Sequence, residues 1–168
     1  MISQDFLPAF CTKRVLILGC GNRLFGDDGF GPAVIDRLRA AYNIPDDIYV
    51  MDVGTGIREI LFTLCLGDAL PREVIVLDAL DVNRTQGEIF ELPVDALPAE
   101  KADDFFMHQA PSANLAKELT TRGVEVKIVG CQSGPVPETV SPGLSDEVQD
   151  AVSRVSSSLA SRYFSSPH

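Results

Sequence analysis

Three apolar runs dominate this chain: RVLILGC (14–20), REVIVLDAL (72–80) and VEVKIVG (124–130). RVLILGC and REVIVLDAL are too short for a buried helix and too continuously apolar for a half-exposed strand, so they read as strands covered on both faces, and VEVKIVG, polar only at Glu125 and Lys127, reads as another buried strand. Helical patterns fall between them. Val34, Ile35, Leu38 and Ala41 recur at helical spacing within 29–42, and Pro32 stands near the start, where a missing N–H costs little. IYVMDV (48–53) is a second strand, and the segment from Ile57 forms a helix that stops at Gly67. Segment 111–123 is a helix bounded by Pro111 and Gly123, and 146–163 is the last one. GEIFEL (87–92) alternates as a strand, and its short connection from strand three predicts an antiparallel neighbour. The expected fold is α/β: a three-layer sandwich with a mostly parallel twisted sheet of about five strands, one of them antiparallel, and helices on both faces.

The 168 residues suit a single domain, with 1–13 as an N-terminal extension and 165–168 as a frayed tail. A formal charge of −10 argues against a nucleic-acid surface. No apolar run approaches a bilayer span and no signal-peptide pattern opens the chain, so a cytoplasmic location is expected. Cys11, Cys20, Cys65 and Cys131 contain no CxxC pair and read as reduced thiols rather than a zinc site.

In such folds the ligand site lies at the carboxyl ends of the strands. After strand one comes GNRLFGDDGFG (21–31). It resembles a phosphate-binding turn, yet Leu24 and Arg23 stand where a third glycine would be needed, and no GK[ST] follows. Asp27 and Asp28 would repel a phosphate at the coming helix N-terminus. One of them suffices as a helix cap, which leaves the second to face outward. Asp78 ends the apolar run of strand three, an unusual place for a carboxylate unless it caps the next turn. His108 is one of two histidines and precedes a helix. Asp28, Asp78 and His108 can reach one sheet edge. Together they make an O,O,N set with charge −2, suited to nickel, zinc or manganese, with positions open for water or substrate. Without the cation the two acids would repel, and one pKa should rise. Asp52, ending strand two, is a candidate to orient the site or pair with a backbone amide. Cys20 reads as core.

VLILGCGNRLFGDDGFGPAVI, MDVGTG (51–56), VIVLDAL, HQ (108–109) and GCQSGPVPETVSPGLS (130–145) occur in the order found in the hydrogenase maturation endopeptidases, which the chain resembles from about Val15 to Val155. LFGDDGFGPAVI looks most like members that serve coenzyme F420-reducing hydrogenases. The resemblance implies an aspartic-type, nickel-dependent endopeptidase in which Asp28, Asp78 and His108 are the catalytic and metal-binding groups. It implies that nickel arrives with the substrate, an immature [NiFe]-hydrogenase large subunit whose C-terminal extension is removed. Free metal should then bind weakly. Many members have Glu where Asp28 stands, and few carry a segment like MISQDFLPAFCT ahead of strand one. The rival expectations are a non-catalytic nickel-sensing assembly chaperone and a nucleotide- or methyl-donor-binding enzyme.

Overall fold

The computed structural model describes residues 7–94 and 110–164. The strands are β1 (Val15–Cys20), β2 (Ile48–Gly54), β3 (Glu73–Leu80), β4 (Ile89–Pro93) and β5 (Glu125–Gln132). The helices are α1 (Phe30–Ala41), α2 (Ile57–Leu66), α3 (Ala110–Thr121) and α4 (Asp146–Leu159).

 Helix α4, Asp146–Leu159, is extended by a wider turn at Ala160–Phe164, and short 3-10 turns occupy Ala9–Thr12 and Gly26–Gly29.

The sheet order is β2-β1-β3-β5-β4. β1 pairs in parallel with β2 and β3, and β3 with β5, while β4 runs antiparallel to β5. The expected sandwich with one antiparallel strand is therefore what forms. Alternation along the strands sorts the core into two layers. Leu16, Leu18, Val74, Val76 and Ile128 pack with Ile57, Leu61 and Leu64 of α2 and with Leu119 of α3. Val15, Ile17, Ile75, Leu77 and Val129 pack with Phe30, Val34, Ile35 and Leu38 of α1 and with Val148, Val152 and Val155 of α4. Because β1 is followed by β2 on one side and flanked by β3 on the other, the strand order reverses between β1 and β3. Their carboxyl ends form the crevice in which open α/β sheets bind ligands.

The partner of β4 differs from the expectation. β4 is antiparallel, but it pairs with β5 rather than with β3, whose two edges are taken by β1 and β5. The connecting turn instead crosses the end of β5. There the buried Gln132 side chain accepts from the N–H groups of Val82 and Arg84, both at 3.0 Å, and donates to Asp81 at 3.0 Å. Gln132 also extends β5 two residues beyond the sequence-based boundary.

Helix α1 lies close against the sheet because position 31 has no side chain. A Cβ on Gly31 would stand 2.3 Å from the Cys20 carbonyl oxygen and 2.7 Å from that of Leu77, both rigid backbone. Gly31→Ala is therefore expected to cost about 3 kcal/mol or more, as a strained overpacked core does. Chemical denaturation of the variant checks this, and an unchanged midpoint would contradict the close approach.

Candidate active site

After β1 the chain doubles back through Gly21, whose φ of +130° and missing Cβ allow the Asp28 carbonyl to approach; a Cβ there would lie 1.9 Å from that oxygen. The tight return brings the Asn22 N–H to 2.8 Å from Asp28 Oδ2, which fixes the half-buried carboxylate at the crevice. Burial raises the Asp28 pKa, partly offset by the bond from Asn22.

Asp78 lies near the end of β3 and is 6% exposed. Its carboxyl is pushed well above the usual range, first by burial and then by the charge of Asp28, with the Ala79 N–H opposing. The two acids thus share one electrostatic environment, as the sequence led us to expect. No basic side chain among the described residues offsets either charge. The fully buried Cys20 adjoins the pair: burial raises its thiol pKa most, followed by the charges of Asp78, Asp52 and Asp28. Cys20 is a core thiol, and this environment disfavours a nucleophilic thiolate. Burial likewise pushes Cys131 up to about 12.

Asp27 does something the sequence did not suggest. Neither acid caps a helix by its side chain. The Asp27 carboxylate turns inward, 5% exposed, and gathers three loops. It accepts from Gly134 N–H at 2.9 Å, Ser145 N–H at 2.7 Å, Ser145 Oγ at 3.0 Å and Gln86 Nε2 at 3.3 Å. Ser145 in turn caps α4 by accepting from Val148 N–H at 3.4 Å. The segment carrying Asp28 is thereby tied to the loop before α4 and to the turn between β3 and β4.

Arg23 supports the other side. Its guanidinium forks onto Asp36 of α1 and reaches Asp52 Oδ2 at 2.7 Å. Asp52 Oδ1 accepts from Gly54 N–H at 2.9 Å, the backbone pairing expected of it. The hydrogen bond from Arg23 holds Asp36 below its ordinary value.

His108 lies outside the described residues. Among the described residues no three His, Cys, Asp or Glu side chains are grouped to hold a metal ion; Asp28 and Asp78 provide two oxygen-bearing groups. A cavity of about 240 Å³ lies elsewhere, on the α4 side of β3, β4 and β5, lined by Ile89, Val129, Leu159, Lys127, Arg154 and Arg162. Its basic groups face acidic partners: Lys127 pairs with Glu73 at 3.0 Å, Arg154 with Asp150 at 2.8 Å and Arg162 with Glu91 at 4.0 Å. It is separate from the acid pair. Among the described residues no helix is long and apolar enough to cross a membrane.

Fold and site together define an α/β protein with a carboxylate pair at the switch point of its sheet. The hydrogenase maturation protease model, HycI, matches residues 32–162. A provisionally named hydrogenase maturation protease of Methanocaldococcus jannaschii is 42% identical over 144 residues, covering 84% of this chain and 91% of that relative. The coenzyme F420 hydrogenase subunit delta of Methanothermobacter thermautotrophicus is 31% identical over 145 residues, covering 84% and 89%. The hydrogenase maturating endopeptidase HybD of Escherichia coli superposes with a TM-score of 0.66 at 25% identity, covering 89% of this chain and 93% of that one. The HycI protease of Thermococcus kodakarensis shares the fold at a TM-score of 0.69 and 21% identity, with 91% and 94% covered. The chain belongs to the hydrogenase maturation protease family.

Two outcomes follow from this geometry. Asp27→Ala strands the Gly134 and Ser145 N–H groups and is expected to cost about 2–4 kcal/mol, read by denaturant titration; wild-type stability would contradict the clasp. Asp78 has a folded-state pKa above its unfolded value, so its favourable contribution is complete below the unfolded range near 3.8 and is lost as pH rises through the folded pKa. In metal-free protein, Asp78→Asn should therefore raise Tm at neutral pH, with the gain shrinking towards acidic pH. A Tm gain that is absent or independent of pH would contradict the buried-charge account.

Proposed function

We propose that this protein removes the C-terminal extension of a nickel-loaded [NiFe]-hydrogenase large-subunit precursor, with Asp28, Asp78 and His108 gripping the nickel that the precursor carries. The observation that carries this reading is the carboxylate pair at the β1–β3 crevice, offset by no basic side chain among the described residues, in a chain of the maturation protease family. Two carboxylates without a cationic partner are costly alone and favourable around a divalent ion, and oxygen donors with one imidazole suit nickel. A pair of this kind accepts a cation brought by another molecule, and cleavage then depends on whether the cation is present. The relative named as a coenzyme F420 hydrogenase subunit supports a precursor of that hydrogenase class.

In this reading, Asp28 is oriented by the Asn22 N–H and Asp78 by its place in β3, so both present oxygens without rearrangement. The nickel, when held there, supplies a Lewis acid that polarises a carbonyl or acidifies a water. The buried thiols of Cys20 and Cys131 leave water as the favoured nucleophile over cysteine.

Incubation with a nickel-loaded precursor, followed by intact-mass measurement, tests this. Wild type should release the extension, and nickel-free precursor should stay whole. Asp28→Asn and His108→Ala should each slow release by about 100-fold or more, the scale of losing a group that acts on the reacting centre. Release at the wild-type rate by both variants would overturn the assignment.

A further inference from the structure

Three of the exposed large hydrophobic side chains, Leu24, Val136 and Val140, are 48%, 50% and 64% exposed and belong to the two segments that meet beside Asp28. The meeting is a short parallel bridge between Phe25 and Ser141. Ser141 N–H donates to the Leu24 carbonyl at 2.7 Å, and Gly26 N–H donates to the Ser141 carbonyl at 2.9 Å. In a parallel pairing of this register Leu24 and Val140 each precede the bridged residue, so they stand side by side on one face. Val136 lies on the same arch, next to Pro137, which packs against Gly26; a Cβ on that glycine would be 3.0 Å from the proline ring.

The arch from 134 to 145 is pinned at both ends by Asp27, which accepts from Gly134 and Ser145, and in the middle by the Ser141 bridge. Pro135, Pro137 and Pro142 restrict it further. An apolar surface held this firmly loses little entropy on binding. It also continues directly into the acid site, because Leu24 and Asp28 share one short loop held by the Asn22 hydrogen bonds.

We infer that Leu24, Val136 and Val140 form the docking rim for the precursor, receiving an extended segment with aliphatic or aromatic side chains next to the bond to be cut. This rests on the function proposed above and names the chemistry by which the same site recognises its partner. The acids take the cation and the rim takes the apolar chain beside it. Phe62 and Leu66, exposed on α2, share neither the bridge nor the arch and make a control surface.

The test has two arms. In the first, cleavage of nickel-loaded precursor is followed with Leu24→Ser/Val140→Ser and with Phe62→Ser/Leu66→Ser. The rim variant should raise KM about tenfold or more with kcat within about threefold, as loss of apolar contact anchors does. The α2 variant should keep the wild-type KM. An unchanged KM in the rim variant, or an equal rise in both, overturns the inference. In the second arm a photoreactive benzophenone side chain replaces Val140, or Phe62, in Asp28→Asn protein, and cross-linking to the same precursor is measured. Cross-linking from position 140 but not from 62 is expected; the reverse, or none from 140, overturns the rim. If the wild-type protein cuts nothing yet position 140 cross-links, the proteolytic reading fails while the docking surface stands.

Discussion

Burial of Asp78 within the field of Asp28 is the interaction around which the crevice is organised. A carboxylate at the end of a parallel central strand has no solvent to stabilise its charge, and here, among the described residues, the charge acting on it is that of Asp28, which has the same sign. Such an arrangement opposes stability at neutral pH, and a fold tolerates it when function gains from it. A cation shared between the two groups would convert the repulsion into attraction. The same electrostatics that weakens the free protein would then favour a cation-bearing partner over a bare one.

Holding two like charges together requires restraint from the rest of the molecule. Asp28 cannot swing away, because Asn22 binds its oxygen and the neighbouring Asp27 is fixed by donors from the loop before α4 and from the β3–β4 turn. Arg23 anchors the opposite end of the loop to Asp36 and Asp52. Gly21 and Gly31 let backbone pass where a side chain would collide, so the loop and α1 lie close to the strands. The adjacent acids, Asp27 and Asp28, therefore divide the labour: one is committed to the scaffold, and the other is left for chemistry.

Much of this was legible in the sequence. β1 and β3 show as continuous apolar runs and β5 as a strand whose apolar residues are interrupted at Glu125 and Lys127, and Asp28 and Asp78 stand out because each follows or ends one of the continuous runs. Asp27 was legible as an acid but not as a clasp, since its partners Gly134 and Ser145 lie 107 and 118 positions away. Arg23 gave no signal for the same reason: its partners Asp36 and Asp52 become neighbours only once α1 and β2 are packed. The partner of β4 is not legible because a short connection fixes direction more firmly than it fixes the neighbouring strand. Gln132, which steers that connection, lies beyond the apolar stretch 124–130 by which the sequence marks the strand. His108 was singled out in the sequence and lies outside the described residues.

The coupling of the two acids is tested most directly by carbon-detected NMR titration of the Asp78 carboxyl in metal-free protein, in wild type and in Asp28→Asn. The account predicts that Asp78 titrates well above the ordinary aspartate range and moves down, though not fully, when residue 28 is neutral, because burial is the larger cause and the neighbouring charge the second. An Asp78 carboxyl that titrates near 3.8 and is indifferent to residue 28 would contradict it.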